Sequence, residues 1–543
     1  LQDSYYSVIA APYGFDTGGK TAYPIWDFLY KWSSILTNDI FPFNIQIFLS
    51  FVLSGISMYY LVFYLTGRNI PSLFSAVIYA FCPYHFARSW QHLGLSQIQW
   101  MPLYLLMLIR LKDHLNLKNL FLCMTAIFLV NSFELHYAIF MYIGTILFLL
   151  YYGAFYKKID LKLFIAVSIV MAVGIALILS TSALGSLKNM LFDRNTIQAS
   201  VWSLVRPFGD LFSQSARPLS YFLPAIAHPF FGEFTEYFIG SSLYGISLTE
   251  HTLYLGWTSL ILAFIAFKGW RRLRKIGTVP FGDSPYLRED FYIGFFLLLA
   301  IIAWLFSQPP WWSIFGLKLY MPSFLMYKIL PIIRAYCRFG ILVMLAISVL
   351  AGFGLMFFLE RLRAQKTKIA ISVLFFGLLL FEFWNFPPFR VIDVSAVPEV
   401  YYWLKEQPGD FTVAEYPLDT NGADLMYMFY QTKHEKKIIN GTVPGTYANN
   451  VARSIDKLSA ANTPGALKWM GVKYLLIHED GYLSSGLIED KEELEKIPNN
   501  LSFKFVRRFL SQGCPQDDIM CIKKTGPIDV YEVIASPVKP KIE

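Results

Sequence analysis

FNIQIFLSFVLSGISMYYLVFYLTG, residues 43–67, runs for 25 residues without a charge and is followed by Arg68. A spanning helix needs about 20 predominantly apolar residues, so this stretch is long enough to cross a bilayer. Further apolar runs begin near Ser72, Ile98, Leu120, Tyr137, Leu161, Thr252, Tyr292, Phe339 and Ile369. Together they predict about ten transmembrane helices. Several runs are short or contain Pro and Gly, so their edges are read only to within a few residues.

Composition points the same way. Of 543 residues, 55% are hydrophobic and 15% charged, and the mean hydropathy is +0.45. A soluble chain could not hide that much apolar surface behind so few charges. The net charge of +8 does not imply nucleic acid, because the basic residues sit between apolar runs and form no single face. They alternate instead. Arg68 follows the first run; Arg110, Lys112 and Lys118 separate the third and fourth; Lys157, Lys158 and Lys162 follow the fifth. Lys268, Arg271, Arg272, Arg274 and Lys275 follow the seventh, and Arg361, Arg363, Lys366 and Lys368 the ninth. Every second loop is basic, which assigns these loops to the cytoplasm. Residues 1–42, 84–97, 181–251 and 308–337, the short turn 133–137 and everything after 389 then face outward.

The expected architecture is an all-α polytopic membrane domain over residues 1–388 and a C-terminal extracytoplasmic α/β domain over 389–543. In the second part charges become frequent and apolar runs shorten to strand length: FTVAEYPL, KKIING, VKYLLIH, FKFVRRF and VYEVI, with helical VPEVYYWLKEQ and KEELEKI among them. The chain opens on Leu1 with no hydrophobic span ahead of the polar segment 1–42. An even number of spans puts both ends outside, and one further helix upstream would restore a cytoplasmic start. The sequence therefore reads as a fragment lacking its first helix. Of five cysteines, Cys82, Cys123 and Cys337 lie in or beside apolar runs, whereas Cys514 and Cys521 flank a polar loop. In an oxidising compartment the latter two are placed to close a hairpin as a disulfide; two unpaired thiols are the alternative.

Several pieces, in order along the chain, resemble bacterial and archaeal GT-C-type membrane glycosyltransferases, the YfhO-like group included. They are APYGFD (residues 11–16), the run 43–67, AFCPYHFARSWQHLGLSQIQWMPLYLLMLIRL (80–111), VRPFGDLFS (205–213) with HPFFG (228–232), EHTLYLGWTSLILA (250–263) and RAYCRFGILVMLAISVLAGFGL (334–355). VAEYPL (413–418), YQTKHEKKIINGT (430–442) and GVKYLLIH (471–478) follow. The resemblance implies a transferase that takes a sugar from a polyprenyl-phosphate carrier at the outer face of the cytoplasmic membrane. The acceptor would be a glycan, a lipid or a protein. It also implies that the principal acid usually lies in the first outer loop, just after the first helix, a segment that reads as missing or incomplete in this sequence.

Such chemistry needs a base for the acceptor hydroxyl, cations for the departing phosphate and an apolar groove for the lipid. The catalytic candidates are Asp16, Glu134 and His136. Asp16 also suits a turn beside Gly18 and Gly19. Glu134 and His136 occupy a very short outward loop, where ionisable groups are costly and tend to be functional; reaching the wet interface is the plainer account. The donor-phosphate candidates are Arg334 and Arg338, four apart at the outward start of a span, and Arg88 with His92, also four apart. Glu250 and His251 read better as a helix cap, and Arg206 with Asp210 as a structural ion pair. No HExxH, CxxC or Walker motif occurs, so no cofactor is evident, while a divalent ion on one or two loop carboxylates stays open. Two readings from other classes remain: a transporter or flippase for a lipid-linked precursor, and a non-catalytic envelope-assembly scaffold. Charges gathered in loops, not paired deep in broken helices, weigh against transport.

Overall fold

The computed structural model describes residues 5–16, 24–37, 40–157, 159–180, 208–276, 285–331, 333–386, 397–418, 423–442, 447–484, 488–510 and 526–540. Two compact units emerge. One is drawn from Thr21–Leu184 and Leu204–Pro388, the other from Leu1–Lys20, Gly185–Ser203 and Phe389–Glu543.

The first unit is helical. Its helices are α1 (Pro24–Leu36), α2 (Phe41–Thr66), α3 (Asn69–Ala80), α4 (Pro83–Ser89), α5 (Trp100–Asp113), α6 (Leu117–Phe133), α7 (Leu135–Tyr156) and α8 (Leu161–Ser180). After the long loop come α9 (Trp257–Ile276), α10 (Pro285–Ser307), α11 (Gly340–Glu360) and α12 (Gln365–Glu382). Each of the ten apolar runs thus corresponds to a helix. Local chemistry sets their ends. Gly67 stops α2 in a left-handed conformation, φ +66°, with its N–H on the Phe63 carbonyl at 2.8 Å. Asn116 caps α6 by accepting from the Asn119 N–H at 2.8 Å.

Ten helices are not yet ten spans. Among the described residues, four helical segments can cross a bilayer by length and composition: Phe41–Thr66, Leu135–Tyr156, Arg288–Ser307 and Tyr336–Glu360. A fifth appears if α3 and α4, bent by 42° to one another, count as one. The shortfall has physical causes. The α5 helix closes after 14 residues. The α9 helix carries Lys268, Arg271, Arg272 and Arg274 within its own turns. At Pro83 the missing N–H ends the α3 ladder and starts α4 afresh.

Helix α11 is the axis of the unit, packed along α3, α9 and α10. Of its apolar window 83% is buried, against 33% for α2 and for α7. The latter two leave apolar side chains such as Phe48, Tyr60, Ile146 and Leu150 outward-facing, as a lipid-contacting surface requires. Close approach to α11 depends on small residues: a Cβ at Gly354 would overlap the Leu262 carbonyl of α9, and one at Gly352 would strike Ser75 of α3.

The two poles of this unit differ in chemistry. At one pole Arg68 pairs with Glu360 at 3.1 Å, Arg288 with Asp113 at 3.5 Å and Arg274 with Asp290 at 3.6 Å. At the other pole the loops interlock. The Ala216 N–H donates to the Ser307 carbonyl at 2.8 Å, the Tyr221 hydroxyl to Ser307 Oγ at 2.8 Å, and the Cys337 N–H to the Gln214 carbonyl at 3.1 Å. Helices α10 and α11 each run from one pole to the other.

The second unit carries a five-stranded mixed sheet of β1 (Thr412–Tyr416), β2 (Lys437–Ile438), β3 (Val472–His478), β4 (Phe503–Phe509) and β5 (Ile528–Val533). All five strand-like stretches of the sequence are strands. The order is β2-β1-β3-β5-β4; β1 pairs in parallel with β2 and β3, and β5 antiparallel with β3 and β4. Helices α13 (Glu399–Glu406) and α14 (Ala423–His434) belong to the same unit. Backbone hydrogen bonds also tie residues 8–11 to Ile438 and Asn440 beside β2.

Candidate functional site

At the loop-rich pole of the helical unit, short connections bring several ionisable groups into one buried cluster. Glu134 both ends α6 and starts α7. Its Oε1 accepts from the His136 backbone N–H at 3.2 Å and from His136 Nδ1 at 2.6 Å. Because an ionised carboxylate only accepts, the second bond assigns the proton to Nδ1 and leaves Nε2 for another partner. The loop after α4 passes so close over Glu134 that a Cβ at Gly94 would lie 2.8 Å from Oε2.

Arg88, in the last turn of α4, is fully buried. Its guanidinium lies 4.7 Å from the centre of the Tyr84 ring and donates from Nη2 to Glu250 Oε2 at 2.8 Å. Glu250 also holds Arg338, whose Nη2 donates to Oε1 at 2.7 Å and whose Nε reaches both oxygens at 3.3 Å. The Cys337 thiol donates to Oε2 at 3.2 Å. Glu250 thus bridges two guanidiniums, and with the Glu134 carboxylate nearby two positive charges face two negative ones. Among the described residues Nε and Nη1 of Arg88 have no hydrogen-bond partner. Tyr84 and Tyr137 share a hydroxyl contact at 3.2 Å, and Tyr137 donates on to the Leu95 carbonyl, so the floor of the cluster is rigid.

Electrostatics follow from burial and pairing. Burial alone would raise the Glu250 carboxyl, but the charges of Arg88 and Arg338 outweigh it and hold the group well below the usual carboxylate range. Glu134 is likewise lowered: burial opposes, while its bonds to His136 and the charge of Arg338 prevail. His92 is lowered by burial and then by Arg88 and Arg338, so it is neutral at pH 7. Arg338 and His136 form the more open edge, with side chains 13% and 26% exposed.

Of the residues singled out in the sequence, Glu134, His136, Arg88, Arg338 and His92 act on one another here. Arg334 does not join them. The two arginines do not share a helical turn, because residues 333–335 are not helical and regular helix begins only at Gly340; Arg334 Nε pairs instead with Asp210 at 3.4 Å. Arg206, the expected partner of Asp210, lies outside the described residues, as do Cys514 and Cys521. Asp16 ends the short strand Phe15–Asp16 in the other unit, where it pairs in register with Tyr5. Among the described residues no group of three or more His, Cys, Asp or Glu is placed to hold a metal ion.

The residue that sequence reading undervalued is Glu250. A carboxylate just ahead of an apolar run looks like a cap, yet the N-terminus of α9 is served by Glu382, which accepts from the Thr258 N–H at 3.1 Å. A charge balance would have found Glu250: it is the only acid between Glu236 and Asp283, and buried arginines need an anion.

A scan against protein-family models finds no match, and neither does a search of the curated proteins. Among solved structures, the archaeal oligosaccharyltransferase AglB from Archaeoglobus fulgidus, in complex with an inhibitory peptide and a dolichol-phosphate, is similar at TM-score 0.42 and 13% identity, over 96% of this chain and 69% of that one. The apo form of the Archaeoglobus fulgidus oligosaccharyltransferase gives TM-score 0.47 and 12% identity, over 95% and 68%. The same enzyme tethered with an acceptor peptide containing the NVT sequon gives 0.46 and 13%, over 91% and 65%. At these scores the likeness carries no argument about activity.

Proposed function

We propose that this chain is a multi-pass membrane glycosyltransferase that moves a sugar from a polyprenyl-phosphate carrier to a glycan, lipid or protein acceptor. The reaction takes place at the loop-rich pole, which faces outward from the cytoplasmic membrane. The supporting observation is the Arg88–Glu250–Arg338 bridge beside the Glu134–His136 pair. In the transfer, the acceptor oxygen bonds to the anomeric carbon while the bond from that carbon to the carrier phosphate breaks. The phosphate leaves with the electron pair. Arg338, at the open edge, stabilises that charge, with the positive charge of the buried Arg88 behind it. His136 Nε2 takes the acceptor proton, and Glu134 at Nδ1 orients the ring and stabilises the imidazolium. Asp16 is not needed for this arrangement.

A second reading has its own observation. Both Glu250 oxygens are already bonded, so the bridge can serve purely to lock loops in a non-catalytic scaffold. Reconstituting the full chain in proteoliposomes with a radiolabelled polyprenyl-phosphate hexose and membrane-derived acceptors separates the two. The transferase reading expects label transfer, reduced roughly 10²–10⁴-fold by H136Q and strongly by R338K, with both variants folded. Transfer that is absent from the wild type removes the transferase reading, and transfer undiminished in both variants removes His136 and Arg338 from its site.

A further inference from the structure

The opposite, ion-paired pole holds a feature that the transferase chemistry does not use. Between α2 and α5 an open cleft of about 820 Å³ runs along the helical unit. Its walls include Ile56 and Phe63 of α2 and Leu103 and Met107 of α5. One end is polar, lined by Arg110, Asp113, His114 and Arg288. From Trp100 to His114, both lining residues, the chain rises about 20 Å at helical pitch, more than half of the ~30 Å hydrocarbon core.

The polar end has surplus positive charge. Asp113 is already saturated: Lys112 Nζ donates to it at 2.7 Å, the Tyr64 hydroxyl at 3.0 Å and the Tyr292 hydroxyl at 3.2 Å, with Arg288 Nη2 at 3.5 Å. Arg288 is held over the Tyr64 ring at 4.9 Å and donates to the Tyr64 carbonyl at 3.0 Å, yet its side chain stays 44% exposed. Among the described residues the Arg110 guanidinium makes no ion pair or hydrogen bond. An apolar slot one leaflet deep that ends on two arginines has the chemistry of a single lipid: a chain for the slot and a phosphate for the cations.

We propose that the cleft holds an anionic glycerophospholipid from the leaflet at this pole, its phosphate on Arg110 and Arg288 and one acyl chain laid along α2 and α5. A polyprenyl carrier also ends in phosphate, but its chain outruns a slot of this length. The site stands at the other pole from the transferase cluster and does not depend on that reading.

Native mass spectrometry of the full chain released from nanodiscs of phosphatidylcholine and phosphatidylglycerol tests this directly. The wild type should retain one phosphatidylglycerol in preference to phosphatidylcholine. R110A/R288A should lower that preference about 30-fold, roughly fivefold per basic group, while R110K/R288K keeps most of it. M107W, which narrows the slot and leaves the charges alone, should retain less lipid as well; circular dichroism confirms that each variant is helical. Equal retention of the two lipids by the wild type, or full retention by the folded R110A/R288A variant, overturns the proposal. So does displacement of phosphatidylglycerol by an equal amount of undecaprenyl phosphate.

Discussion

Glu250 shows what single residues contribute at the site and how to test it. Removing its charge strands two buried guanidiniums, and breaking a buried pair from one side costs about 3–5 kcal/mol. E250Q in detergent should therefore melt far below the wild type, and R338M nearly as far. The double variant should lose clearly less than the sum of the two, as expected for groups that share one interaction. Simple additivity would mean that the bridge is not an energetic unit. In the second unit His434 is the residue to titrate. Its Nδ1 accepts the Lys436 N–H at 3.1 Å, and its ring stacks on Tyr401 with centroids 5.8 Å apart. Burial, with Lys436 adding to it, lowers its pKa to about 4. A lowered folded-state pKa means that the unfolded chain takes the proton first. Stability from this group is thus complete above pH 6.5 and falls toward pH 4, by at most about 1.4 kcal/mol per pH unit. Hydrogen exchange of peptides from residues 397–478 should accelerate across that window in the wild type, and much less so in H434Q. An unchanged pH profile in H434Q would assign the effect to other groups.

At the scale of elements, periodic apolar content was readable where it sits in long unbroken stretches, and positions of contact were not. The run 43–67 became α2 almost to the residue, and the five strand-like pieces of the C-terminal part became the five strands, because each is a local pattern. The pairing of Arg334 with Asp210 and of Arg338 with Glu250 was not readable, because it depends on where the non-helical residues 333–335 and the loop 208–256 turn. Spacing of four along the sequence suggested a shared face, and the chain is not helical there. Small residues carry the same lesson in packing. Gly354 has no signature of its own within an apolar helix, yet it lets α9 meet α11 at the Leu262 carbonyl. Replacing it with Leu inserts a side chain where even a Cβ has no room. The expected cost is roughly 1–3 kcal/mol or more, since backbone cannot yield as a flexible side chain does. G377L on α12, where a Cβ meets nothing within 4 Å, should change the melting temperature little. Equal effects of the two substitutions would show that α9 and α11 are not in register as described.

For the whole molecule, sidedness decides whether the cluster at the loop-rich pole can meet a lipid-linked sugar from outside. In the proposed orientation the other pole is cytoplasmic, and basic residues at the loop-rich pole look like exceptions to the positive-inside rule. The arginines among them are engaged within the fold: Arg88 and Arg338 share Glu250, Arg334 pairs with Asp210, and Arg217 donates to the Phe212 carbonyl. At the other pole Arg361, Arg363 and Lys366 are exposed to solvent. Topology is biased by positive charge in short loops near helix ends, and a cation already matched to a carboxylate within the fold is the cheaper one to carry across. The two poles can be distinguished with one cysteine each, K366C after α11 and K318C on the exposed hairpin Trp311–Tyr320, in a background with Cys514 and Cys521 changed to Ser. Cys82, Cys123 and Cys337 are buried and contribute little labelling. In intact cells a membrane-impermeant maleimide should modify K318C and spare K366C until the membrane is permeabilised. Labelling of both from the same side would place the two poles on one face of the bilayer and leave the buried cluster without access to an outward donor.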